Sequence, residues 1–138
     1  MEINFSKETS VNELHRMSAH LGMKLGAPDF VASTDDDANR IDNMWSGAVA
    51  ELAALLQPYA TYEFTQDGVI YSLVMPSNWK ETQEKNLVEQ CRLFLHQALF
   101  ARWLDYVRAD SAMLYRTLNN DTASVITHLL SLRKKPIR

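Results

Sequence analysis

Hydrophobic residues recur every three or four positions over most of this chain, and one short stretch carries the alternation and turn residues of a hairpin. The first helical pattern starts at Ser10. Ser10 and Glu13 stand at capping-box spacing, where each side chain can satisfy a free amide at the helix start. Val11, Leu14, Ser18, Leu21 and Leu25 follow at helical spacing; Gly22 and Gly26 weaken the end and Pro28 stops it. Residues 26–36 read as a loop. A second helix is predicted to start within residues 34–37, where Asp35, Asp36 and Asp37 complement the positive end of the helix dipole. Ile41, Met44, Trp45, Ala48, Val49, Leu52, Leu55 and Leu56 form its apolar stripe, and Pro58 ends it.

The period then changes. Tyr62 and Phe64 alternate with Glu63 and Thr65, Gln66-Asp67-Gly68 reads as a turn, and residues 69–75 form a second β-rich run closed by Pro76. A lone hairpin is marginal in water, so this one is expected to lie on the helices or to pair with a hairpin of another copy. A third helix is predicted to open at Ser77 or Asn78, with Glu81 completing a capping box. Its pattern reaches Leu118, about 60 Å at 1.5 Å per residue, so it must bend, break or project into a partner. Between Cys91 and Val107 its apolar residues cover more than one face, which marks a central core helix or one covered by another subunit. Asn119-Asn120-Asp121 is predicted to interrupt the pattern and cap a fourth helix, with Val125, Ile126, Leu129 and Leu130 inward. The expected fold is mainly α: a bundle of about four helices, the third long, with one β-hairpin between helices 2 and 3.

Composition narrows the class without naming an activity. The chain's 138 residues suit a single domain with one core. The hydrophobic share of 46% and charged share of 22% are those of a globular chain. A net charge of −3 argues against a broadly basic nucleic-acid binder. The single cysteine, Cys91, excludes an internal disulfide and a zinc site built on cysteine pairs. Residues 1–10 lack an apolar signal core, and no apolar run is long enough to span a membrane; the expectation is a cytoplasmic protein.

Candidate chemistry is sparse. His15 and His20 are five residues apart, which puts them on different faces of a helix, and His96 and His128 lie on other elements. A small helical enzyme or ligand-binding protein gathering a metal through these histidines is the alternative reading; no cofactor or catalytic residue is assigned. The aspartate run lacks the alternating ligands of a calcium loop and reads as a helix cap. Cys91 falls among apolar residues and reads as a small buried side chain. No phosphate-cradling glycine loop is present. Residues 133–138 form a basic tail containing Arg133, Lys134 and Lys135. It reads as a solvated helix end, as phosphate contacts, or as a partner for an acidic face such as Asp35, Asp36 and Asp37 on a neighbouring subunit. Trp79, Phe100, Trp103 and Tyr71 are candidate interface anchors, although Trp103 also fits a core stripe; Trp79 is expected in the first turn of the third helix, stapling it to the hairpin.

Several pieces share an order: the acidic turn before a helix containing Trp45, Pro76-Ser77-Asn78-Trp79 after a hydrophobic strand, Trp103-Leu104 in a long helix, and Arg133-Lys134-Lys135-Pro136 near the end. In this order, which covers most of the chain, it resembles a group of small uncharacterised proteins from prophages of gut Bacteroidetes. That resemblance implies a structural or assembly role in a phage-like particle and carries over no site residue. The expected function is therefore a non-enzymatic assembly or adaptor subunit that binds protein partners, most simply copies of itself.

Overall fold

The N-terminal residues, polar and unremarkable in sequence, form a strand. A computed structural model describes residues 1–26 and 31–135 of the chain. Strand β1 (Glu2–Ser6) alternates, with Ile3 and Phe5 buried and Glu2, Asn4 and Ser6 in solvent. Helix α1 (Lys7–Lys24) follows without a break. Helix α2 (Ala38–Leu55) leads to the hairpin of β2 (Ala60–Phe64) and β3 (Gly68–Leu73). Helices α3 (Glu84–Val107) and α4 (Ala109–Ser131) complete the fold. The protein is mainly helical, with four long helices among the described residues and the hairpin between the second and third.

One edge of the hairpin finds its partner within the chain. β1 pairs antiparallel with β3 on the side away from β2, giving a sheet of order β1-β3-β2 with Ile3 opposite Tyr71 and Tyr62 also opposite Tyr71. The turn is built by Gln66 and Asp67: Thr65 N–H donates to the Gly68 carbonyl at 2.9 Å, and Gly68 N–H donates to Thr65 Oγ1 at 3.0 Å. Gly68 therefore ends the turn rather than forming its centre. Its missing side chain serves the other neighbour, because a Cβ there would stand 1.9 Å from the Phe5 carbonyl oxygen.

Helix α1 starts earlier than its sequence pattern suggests. Ser6, not Ser10, is the cap, accepting from the Thr9 amide at 3.3 Å. Ser10 is buried with Leu14, Ser18 and Gly22, a face of mostly small residues that lets the helix lie close to its neighbours, while Val11 and Leu21 flank it. Glu13 pairs with Arg16 rather than with a cap. The α2 stripe is as expected, with Ile41, Trp45, Ala48, Val49 and Leu52 buried.

The long third pattern breaks. A short 3-10 turn (Glu81–Gln83) precedes α3, and at Arg108 the backbone leaves helical geometry (φ −156°, ψ 73°). Helix α4 folds back antiparallel on α3: Asp105 pairs with Arg116, Phe100 meets the Tyr115 ring, and Thr122 Oγ1 donates to Gln97 Oε1 at 2.8 Å. Helix α4 runs unbroken through Asn119-Asn120-Asp121, so the predicted interruption there is corrected. The apolar demand is met on both sides: α4 covers one face of α3, and α1 and α2 cover the other. Its wide stripe is a central core helix. Leu87, Leu95, Leu99 and Leu104 are fully enclosed within the chain's own core.

Candidate functional site

A surface concavity lies where the start of α1, the start of α2 and the β2–β3 turn converge. It is a groove of about 680 Å³ lined in part by Lys7, Glu8, His15, Asp35, Asp42 and Asp67. Lys7 and Asp42 bridge it as an ion pair between α1 and α2. His15 projects from α1 between two residues of the segment that precedes α2. Its Nδ1 lies 2.7 Å from Ser33 Oγ, and its Nε2 lies 3.6 Å from Asp35 Oδ1.

Serine, histidine and aspartate in contact invite comparison with a nucleophilic triad, and the bonding around Ser33 decides how they are used. Ser33 is buried, its hydroxyl contacts Ser18 Oγ at 3.1 Å, and its amide donates to Ser18 Oγ at 2.9 Å. The Ser33 amide is thus spent on α1 and does not face an incoming oxyanion. The Asp35 carboxylate is fully in solvent, where water screens its hold on the imidazole. The network satisfies two buried serines and ties residues 31–35 to α1. Asp37 accepts from the Thr34 amide at 2.9 Å, which closes the 3-10 turn Asp35–Asp37 leading into α2; as the N-cap residue of α2 itself, Asp37 makes no side-chain capping bond.

The other histidines are dispersed. His20 and His128 are exposed on α1 and α4. His96 lies on α3 beside Arg92 in a second, smaller hollow with Asn4 and Thr9. Burial lowers the pKa of His96, opposed by the Glu13 carboxylate and assisted by the Arg92 cation. Among the described residues no three His, Cys, Asp or Glu side chains gather to hold a metal ion. Cys91 is enclosed, and burial pushes its thiol up to about 12.

The expected interface aromatics are corrected by their burial. Tyr71, Trp79, Phe100 and Trp103 are all enclosed by this chain. Tyr71 donates to the Val49 carbonyl at 2.7 Å, and Trp103 Nε1 to the Val31 carbonyl at 2.6 Å. Trp79 precedes α3 instead of opening it, and it staples a different element. Its Nε1 donates to the Leu129 carbonyl of α4 at 2.9 Å, and its backbone bridges Arg133. That bridge engages the start of the basic tail. Arg133 donates to the Leu130 and Leu132 carbonyls and to Tyr59, and Lys134 pairs with Glu81 at 3.1 Å. Arg133 and Lys134 are therefore docked within the chain rather than on Asp35, Asp36 and Asp37; Lys135 is exposed, and residues 136–138 lie outside the described residues.

What the sequence pattern missed is apolar surface left open. Tyr62 and Phe64 share the sheet face that carries the buried Val69, Tyr71 and Leu73, yet they remain 43% and 48% exposed. Their rings touch edge to face with centroids 5.7 Å apart. On α4, Met113, Leu114, Leu118 and Val125 are also exposed. No helix is long and apolar enough to cross a membrane among the described residues. Comparison of the chain with protein-family models, with curated proteins and with solved structures finds no match in any of the three.

Proposed function

We propose that this chain is a non-catalytic subunit that works through contacts with other protein chains, as an assembly or adaptor component. The observation that carries the reading is the uncovered aromatic pair Tyr62–Phe64 on the core-facing side of an edge strand. Scattered exposed apolar residues are ordinary on a protein surface. Two rings in mutual contact, on the face the rest of the sheet buries, are an unfinished core. A second group supports it: Leu114, Leu118 and Val125 recur at four and seven residues along one side of α4. The wide stripe of α3 no longer contributes, since the chain covers it, and of the hairpin only the β3 edge is covered, by β1. The resemblance to prophage-type proteins supports the assembly of a phage-like particle as the setting.

Light scattering after size-exclusion chromatography, over a range of protein concentrations, tests this. A defined oligomer is the expected result. A monomer at every concentration overturns self-association as the mode of action.

A further inference from the structure

We infer that the free edge of β2 pairs antiparallel with the β2 strand of a second copy, on a two-fold axis through Tyr62, joining the two sheets into one. This rests on the protein-contact reading and adds the occupant and the register.

The hydrogen-bond alternation of the hairpin sets which groups are free. Thr65 N–H donates to Gly68 O, and Val74 N–H donates to Tyr59 O. Bonded pairs alternate along an antiparallel ladder, so Thr61 and Glu63 also bond to β3. The amides and carbonyls of Ala60, Tyr62 and Phe64 then point away from β3, to the open side of β2. A copy related by a two-fold axis at Tyr62 presents the same groups in reverse order. Tyr62 meets the copy's Tyr62, and Ala60 meets its Phe64, so every outward group of the strand is used.

The side chains agree with this register. Glu63 is the strand's only charge, and it falls opposite the copy's Thr61 rather than another carboxylate. A shift that centres the axis on Glu63 would set two carboxylates directly against each other. The axis also keeps like faces together. The polar outer faces, with Thr61 and Glu63, stay in solvent, and the uncovered Tyr62 and Phe64 rings of both copies meet on the inner side. There each pair completes the apolar layer that its own helices leave open. The second edge, β1, is less suited: its outward backbone groups belong to Glu2, Asn4 and Ser6, and the strand ends at Ser6, where the chain turns into α1.

A disulfide test reads the register directly. Thr61 and Glu63 of opposite copies would form a close, non-hydrogen-bonded pair, with Cα atoms about 4.5 Å apart, within disulfide range. Glu63 and the copy's Glu63 would stand diagonally at about 8 Å, beyond that range. Both positions are exposed, and Cys91 is buried. Under mild oxidation, a mixture of Thr61→Cys and Glu63→Cys proteins should give a covalent heterodimer, and neither variant alone should cross-link. In parallel, Tyr62→Lys sets two cations against each other on the axis and should dissociate the oligomer, whereas Val125→Lys on α4 should leave it intact. Cross-linking by Glu63→Cys alone overturns the register. An oligomer that survives Tyr62→Lys but is lost with Val125→Lys overturns the edge pairing and leaves the protein-contact reading standing. A parent protein that is monomeric throughout overturns the edge pairing together with self-association as the mode of action.

Discussion

Tyr71→Phe removes one oxygen atom from the contact between sheet and helices, and its cost should change with pH. The hydroxyl is fully enclosed and donates to the Val49 carbonyl of α2 at 2.7 Å. A carbonyl inside a helix also accepts a backbone amide, so it is not stranded when the phenol is lost. The expected cost near neutral pH is therefore about 1 kcal/mol, the ordinary worth of a buried hydrogen bond. For 138 residues that corresponds to a fall in Tm of about 3 °C. Above pH 10 the comparison changes. Burial raises the Tyr71 pKa above its ordinary 10.0, with the neighbouring Cys91 and Tyr62 acting in the same direction. A raised pKa means that this group's stability is fully present below the unfolded value and is lost as pH rises above it. The loss is about 1.4 kcal/mol per pH unit, because the unfolded phenol ionises and the folded one does not. The variant escapes that loss, so its stability should equal the parent's between about pH 10.5 and 11. Urea titrations followed by tryptophan fluorescence, from about pH 7 to about pH 11, would show the two curves crossing. A deficit that stays constant over that span would mean that the phenolate reaches water in the folded chain, and the packing argument would fail.

Other substitutions test separate parts of the fold. Gly68→Ala drives a methyl group onto the Phe5 carbonyl and should cost about 1–3 kcal/mol or more, measured by urea unfolding. Gly47→Ala meets only the movable Arg102 guanidinium, and a gain in helix propensity of up to about 1 kcal/mol should offset the disturbed Arg102–Glu51 pair. Trp79→Phe takes the donor from the Leu129 carbonyl and should destabilise by about 1–2 kcal/mol, with faster hydrogen exchange at the Lys80 and Lys134 amides that hold the tail. Cys91 should resist thiol reagents in the folded protein at mildly alkaline pH and react fully in denaturant, because burial pushes its thiol to about 12; rapid labelling without denaturant would contradict its place in the core.

Periodicity was enough to place most of the helical core. The α2 stripe from Ile41 to Leu52 and the enclosed positions of α3 lie where an amphipathic pattern puts them, because burial repeats with the turn of the helix. The hairpin was legible too, from its alternation and its turn residues. Three decisions depended on contacts between distant segments. Residues 2–6 alternate over too short a span to announce a strand, and become one because β3 offers a free edge. The chain reverses at Arg108, with no glycine or proline there, because the apolar faces of α3 and α4 are buried only if the second helix folds back on the first. Helical spacing alone cannot say whether an apolar face meets the same chain or another.

The same limit governs the candidate surfaces. Trp79, Phe100, Trp103 and Tyr71 have the chemistry of interface anchors, and the fold spends them on its own core. Tyr62 and Phe64 carry the alternation of a half-buried strand, yet the helices stop short of them. The amino-acid sequence alone determined which positions need to leave water and the local element each belongs to, since these follow from side-chain chemistry and backbone period. Only the tertiary structure decided which of those positions the chain itself could cover, because coverage depends on how far each helix reaches across the sheet.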